Sequence, residues 1–380
     1  MATPPIYAAG PHAFDRAWLD VSLGALRHNV AALRARAGVP LLLMVKANGY
    51  GLGAEAACRA VGVPFGTDAP ADNDSVWGVG IASLDEAESL REAGCTGRIV
   101  CATPLLAHEL PRANALGVRP ALHRASDITA WQALGGGPWH LAIDTGMSRA
   151  GARWDDVAEL REALHAAGAN GPEGIFTHFH SAEESIASRD EQDGRFDAVL
   201  AALRDLLPPS RLEHRDNSGA IASRAHGSPG QLARPGIALY AGMFAQELGL
   251  AQVAHLRARV VDLREVHEGE SVSYNATWRA AGTRRMATLS IGYADGYKRR
   301  LSNTGVALVN GVRCPVVGRV TMDMTMVDVT GVACALGTVV TLMGRDGDEE
   351  ITTEAMATLG GVSPYELLVG LSMRVPAVYH

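Results

Sequence analysis

Between Leu41 and Tyr240 the chain alternates short β-rich runs with segments of helical period, the pattern of a parallel sheet wrapped by helices. Eight strands are predicted: Leu41–Val45, Val79–Ala82, Ile99–Ala102, Val118–Leu122, His140–Asp144, Gly174–His178, Leu212–Asp216 and Ala233–Leu239. The intervening helices carry their own punctuation. Ser83 followed three residues later by Glu86 is a capping-box signature that opens a helix over Leu84–Ala93, and Gly94 supplies the stop. Eight βα units favour a closed (β/α)8 barrel over an open sheet, so the fold class is α/β. A helix over Leu23–Arg36, with leucines on one face, fits as an extra layer before the first strand.

After about Phe244 helical spacing gives way to alternation, over Arg257–Leu263, Ser271–Tyr274, Ala287–Gly292, Val306–Val309, Arg313–Val317, Thr325–Val329 and Val339–Leu342. This predicts a second, mainly β domain, and divides the chain into residues 1–246 and 247–380. Asn310-Gly311 between two such runs is a type I′ hairpin signal. Helical pieces follow at Thr353–Leu359 and from Ser363 to Leu368, and the acidic stretch Asp68–Asp74 reads as a surface loop.

A chain of 380 residues, 47% of them hydrophobic, can bury one large core and a smaller one. With 34 basic against 41 acidic side chains the formal net charge is −7, and no basic block of the kind that neutralises phosphate backbones is present. Nucleic acid is therefore not an expected partner. No apolar run approaches the roughly 18 residues needed to span a bilayer, and Met1–Pro11 lacks the regions of a secretory signal, so a cytoplasmic chain is expected. Five scattered cysteines without a CxxC pair predict neither a disulfide framework nor a metal site.

Polar residues collect at the carboxyl ends of the predicted strands, where barrel enzymes keep their chemistry. The first strand ends in Lys46, the fifth runs into Asp144–Arg149, the sixth ends in Thr177-His178, the seventh in Asn217-Ser218, and the eighth carries Arg234-Pro235-Gly236-Ile237. Lys46 is either a desolvated amine acting as a Schiff-base nucleophile or a lysine snorkelling out of a strand end. Ser218 and the backbone N–H groups around Gly236 suit a phosphate, because a β-carbon at position 236 would keep the backbone away from the anion.

The stretch Met44-Val45-Lys46-Ala47-Asn48-Gly49-Tyr50-Gly51-Leu52-Gly53 resembles the cofactor-lysine motif of alanine racemases, fold-type III enzymes that use pyridoxal 5′-phosphate. The resemblance extends over nearly the whole chain, through Arg16–Asp20, Trp77-Gly78-Val79, Asp144–Arg149, Thr177-His178-Phe179, Asn217-Ser218, Arg234–Tyr240, Val272-Ser273-Tyr274, Gly292–Tyr297, Gly318–Asp323 and Ser372–Pro376. It implies that Lys46 forms the internal aldimine and that Tyr50, Ser218, Gly236 and Ile237 contact the phosphate. His178 would lie against the pyridoxal ring, Arg234 would face its nitrogen, and Arg149 would bond its phenolic oxygen and the substrate carboxylate. Tyr274, the second catalytic residue, and Met322, a substrate contact through its amide, would come from the partner subunit of a homodimer, with Tyr293 at the site's mouth. The implied activity is interconversion of L- and D-alanine for peptidoglycan, with a serine or broader amino-acid racemase as the alternative. Related decarboxylases share the two-domain plan but place a glutamate, not an arginine, at the pyridine nitrogen.

Four positions depart from the family pattern. Ala142 stands where many members carry a carbamylated lysine that supports the ring-binding arginine, leaving room for a chloride ion or water. Met373 replaces a phosphate-binding tyrosine found in some members, His180 a small residue, and Thr321 a cysteine common beside Met322.

Overall fold

A computed structural model describes residues 16–66 and 75–380, so the stretch Asp68–Asp74 and the segment Met1–Pro11 lie outside the described residues. The chain forms two compact units, one of residues 26–239 with 244–250, the other of the residues up to 25, 240–243 and 251–380. Among the described residues no helix is long and apolar enough to cross a membrane.

The first unit is a closed parallel barrel followed round by helices. Its strands are Leu41–Met44, Val76–Ile81, Ile99–Cys101, Arg119–Leu122, His140–Asp144, Gly174–Phe176, Leu212–Asn217 and Leu232–Arg234. Each pairs with its neighbour in sequence order, and the eighth returns to the first through Ala233 opposite Leu41. A two-residue strand, Ala152–Arg153, lies beside the fifth. Leu41, Leu42 and Leu43 are all buried, as expected of a strand covered on one face by helices and on the other by the barrel interior.

Two barrel-strand boundaries differ by more than two residues from those predicted, for local reasons. The second strand begins at Val76 rather than Val79 because Gly78, which reads as a breaker, lets a neighbour approach: a β-carbon there would lie 2.8 Å from the Arg98 carbonyl. The eighth strand stops at Arg234, not Leu239, because Pro235 has no N–H to offer the ladder, and Ile237–Tyr240 winds into a 3-10 turn instead. The capping box forms as expected: Ser83 Oγ accepts the Glu86 N–H, and the Glu86 carboxylate accepts the Ser83 N–H.

The second unit is built on a mostly antiparallel sheet around the long strand Ala254–Val266. Asn310 and Gly311, with φ of 50° and 76°, close the two-residue hairpin between Val309 and Val312. Strand Ser271–Tyr274 is cut to Ser271–Val272, since Ser273 and Asn275 turn to φ of 66° and 63°. The strand Ala17–Val21, which alternation did not reveal, pairs antiparallel with Ala254–Ala258 and parallel with Ala377–Tyr379. Residues 17–21 thus belong to the β unit, and a division at residue 246 does not describe them.

Candidate active site

The last ladder bond of the first barrel strand runs from the Val45 N–H to the Gly80 carbonyl, at 2.9 Å, and Lys46 follows it directly. Beyond the lysine the backbone makes a left-handed turn: Ala47, Asn48, Gly49 and Tyr50 have φ of 51°, 52°, 63° and 55°. Non-glycine residues in that region cost about 1 kcal/mol or more each, so the turn needs support. It receives it from Gly49 N–H to Val45 O at 2.7 Å, Gly51 N–H to Ala47 O at 2.8 Å, and Ala54 N–H to the Asn48 side chain at 3.0 Å. The turn brings the Tyr50 ring inside, where it is buried.

Lys46 keeps a solvent-facing surface, yet desolvation by the surrounding barrel mouth lowers its pKa from the usual 10.5. Arg149 adds to the fall by repulsion, and Glu86 opposes it. Among the described residues neither the Lys46 ammonium nor the Arg149 guanidinium has an ion-pair partner. Arg149 ends a loop shaped by Asp144, whose Oδ1 accepts the N–H groups of Gly146 at 2.9 Å and Ser148 at 3.1 Å.

His178 is where the cations meet. Burial first, then Arg234, Arg149 and Lys46, push its pKa from 6.5 to about 3, so the imidazole is neutral. Arg234 is fully enclosed and anchored to main chain: it donates to the Thr177 carbonyl at 2.5 Å, to Arg215 O at 3.2 Å and to His214 O. Burial brings its pKa down to about 10, with Asp216 pushing the other way, which leaves it charged near neutrality.

Ser218 begins the helix Ser218–Ser223, and its Oγ accepts the N–H groups of Gly236 at 2.9 Å and Ala238 at 3.3 Å. A β-carbon on Gly236 would run into the Tyr50 hydroxyl. Tyr50, Ser218, Gly236 and the fully buried Ile237 therefore form one patch. Lys46, Arg149, His178 and Arg234 gather within the same unit.

The other three predicted residues lie in the β unit, where loops hold them together. The Tyr293 N–H donates to Thr321 O at 2.9 Å and Ala294 N–H to Met322 O at 3.0 Å, while Ser273, next to Tyr274, donates to Arg319 O at 2.6 Å. Tyr274, Tyr293 and Met322 are 69%, 41% and 53% exposed, large side chains held outward by ordered loops.

At the departures, Ala142 packs with Ala121 and Phe176 in an apolar cluster. Met373 is fully exposed. His180 bonds Ser181 and Ser188 through its two ring nitrogens, and Thr321 Oγ1 donates to Met324 O at 2.9 Å.

Sequence reading missed a polar chain beneath Arg234. His214 Nδ1 lies 3.1 Å from Arg234, its Nε2 lies 2.8 Å from His140 Nδ1, and His140 Nε2 lies 3.4 Å from Glu173, which pairs with Arg119 at 2.6 Å. Burial raises the Glu173 pKa, but His140 and Arg119 outweigh it and hold the carboxyl at about 2. Gln192 was also missed: its amide donates to Thr145 and to the His178 carbonyl and accepts the His180 N–H, joining the loops of the fifth and sixth strands. Strand alternation was the available signal for His140 and His214, both on inward positions.

Comparison with known proteins bears on both units of the chain. Family models described as the alanine racemase N-terminal and C-terminal domains match residues 21–243 and 253–379. The alanine racemase of Deinococcus deserti is 38% identical over 96% of this chain and 99% of its own. That of Deinococcus radiodurans is 38% identical over 95% of this chain and 98% of its own. The crystal structure of alanine racemase from E. faecalis superposes with a TM-score of 0.86 at 31% identity, covering 97% of this chain and 99% of that one. The alanine racemase structure from Bartonella henselae, with covalently bound pyridoxal phosphate, gives 0.83 at 28% identity, covering 96% and 99%. With both domains matched in order and relatives above 30% identity over almost their full length, this chain belongs to the alanine racemase family of enzymes.

Proposed function

We propose that the protein is a pyridoxal 5′-phosphate-dependent alanine racemase that interconverts L- and D-alanine by a two-base mechanism, supplying D-alanine for peptidoglycan. One observation carries the reading: Lys46, Arg149 and Arg234 all bear on a neutral His178, two of them without a counter-ion, so the barrel mouth is set for an anionic aromatic ligand. The residues fit the cofactor. Gly236 leaves room beside Tyr50 where a β-carbon would not pass, and Ser218 starts a helix whose N–H groups favour a phosphate.

When bound, the cofactor supplies an electron-withdrawing ring conjugated to the substrate's Cα, which makes the Cα proton removable. The chain's own residues handle that proton. Inversion requires removal on one face and return on the other, so two acid–base groups must flank the substrate. Lys46, with its lowered pKa, holds one position. Tyr274 of a second subunit is assigned the other, and its exposure supports that assignment. Arg149 binds the substrate carboxylate, assisted by the Met322 amide of the second subunit, and Tyr293 narrows the approach. Arg234, still protonated near neutrality, would donate a hydrogen bond to the ring nitrogen without giving up its proton, a weaker pull on electrons that would limit side reactions.

The test is purified protein with pyridoxal 5′-phosphate and a panel of L-amino acids, read by chiral chromatography. D-alanine as the dominant product supports the reading, D-serine at a comparable rate points to the broader racemase, and no D-product refutes both. Borohydride reduction of the same protein should fix the cofactor to Lys46; an adduct on another lysine would overturn its assignment.

A further inference from the structure

Glu86 does more than close its own helix. One carboxylate oxygen, Oε2, completes the capping box, accepting the N–H groups of Ala82 at 2.8 Å and Ser83 at 3.3 Å. The other, Oε1, crosses to the neighbouring strand end and accepts the Ala47 N–H at 2.6 Å. A capping glutamate needs only the first of these contacts.

The second contact falls where the backbone most needs one. The sheet ladder ends at Val45, whose N–H bonds Gly80 O, and the left-handed turn begins at Ala47. Lys46 is thus bracketed, by a ladder bond on the residue before it and a carboxylate bond on the residue after it. Without the second, the turn would keep its unfavourable φ values and lose the acceptor that fixes its first amide. The same carboxylate favours the ammonium form of the lysine against burial and Arg149.

We propose that Glu86 is a positioning residue for Lys46, its carboxylate pinning the left-handed turn that aims the amine into the barrel mouth. The importance of that aim rests on the function proposed for Lys46, but the geometry and its test do not. Among the described residues Glu86 makes no ion pair with the Lys46 amine; it acts through the Ala47 amide.

Ser83→Ala removes the capping partner and leaves the Ala47 bond, whereas Glu86→Gln fills the same volume with one acceptor oxygen and no charge. Both are compared with the parent as full chains freed of cofactor. The readouts are hydrogen exchange resolved to the Ala47 amide and the pH midpoint for acylation of Lys46, followed by mass spectrometry. In Glu86→Gln, Ala47 protection should fall about tenfold and the Lys46 midpoint should drop by about half a pH unit or more. Ser83→Ala should lower thermal stability and move neither. A Lys46 midpoint that stays or rises in Glu86→Gln, or equal loss of Ala47 protection in Ser83→Ala, overturns the proposal. Should Glu86→Gln not fold, Glu86→Asp replaces it: the charge remains but the chain is one methylene too short to reach both strand ends, so protection must fall or the proposal fails. None of these readouts involves the cofactor, so their failure is separable from a failure to map the cofactor to Lys46.

Discussion

His178 Nδ1 and Arg234 Nη2 face each other at 3.5 Å, an imidazole against a guanidinium, and the imidazole is held neutral. Burial alone disfavours a charged His178, and the cation beside it removes what remains of the tendency. A neutral ring suits stacking against an aromatic ligand.

Acid stability follows from the buried histidines. His178, His123, His140, His214 and His255 all have pKa values below 6.5, with burial as the first cause. The unfolded chain therefore takes up protons first as pH falls. Stability should decline from about pH 6.5 until the folded groups titrate, at about 4 for His123 and about 3 for His178. Each fully buried imidazole, such as His214, contributes up to ~1.4 kcal/mol per pH unit. Denaturant midpoints between pH 7 and 5 check this, and a flat profile would contradict it.

Replacing Arg234 by Glu removes the donors now held by the Thr177, Arg215 and His214 carbonyls and places an acid where a ligand's ring nitrogen is assigned. The variant should melt lower, racemise roughly 100-fold more slowly or worse, and transaminate more. Product partitioning, measured as pyruvate against D-alanine, decides it. Unchanged partitioning would remove the role given to this arginine.

Gly236→Ala tests the phosphate patch. The added methyl group meets the Tyr50 hydroxyl, so Tyr50 or the 236 backbone must move. Cofactor affinity, titrated by absorbance, should weaken about 10-fold or more, while the melting temperature of the cofactor-free chain changes little. Equal affinity in variant and parent would show that the patch holds no phosphate.

The assignment of Tyr274 to a second subunit predicts complementation. Lys46→Ala and Tyr274→Phe proteins should each be nearly inactive in at least one direction. In a two-fold symmetric mixed dimer one site collects both defects and the other none. Equal random exchange should then restore up to roughly a quarter of parental specific activity. Exchange verified by mass with no recovery would place both bases on one chain.

Much of this was legible in the residues themselves. Period and punctuation define the barrel strands, the Ser83–Glu86 cap and the Asn310-Gly311 turn, because each depends on neighbours within a few positions. Once eight parallel strands are set in order, Lys46, His178, Ser218 and Arg234 must share one end of the barrel, since the strands run the same way. The tertiary structure alone decided the rest. That Ala17–Val21 joins the β unit depends on partners at Ala254–Ala258 and Ala377–Tyr379, far along the chain. The chain from Arg234 through His214 to His140 and Glu173 depends on which inward side chains meet at one level of the barrel, which alternation leaves open. Glu86 shows both limits in one side chain. Its helix cap is written three residues away at Ser83, while its bond to Ala47 crosses 39 residues and exists only because adjacent strand ends lie side by side in the closed barrel.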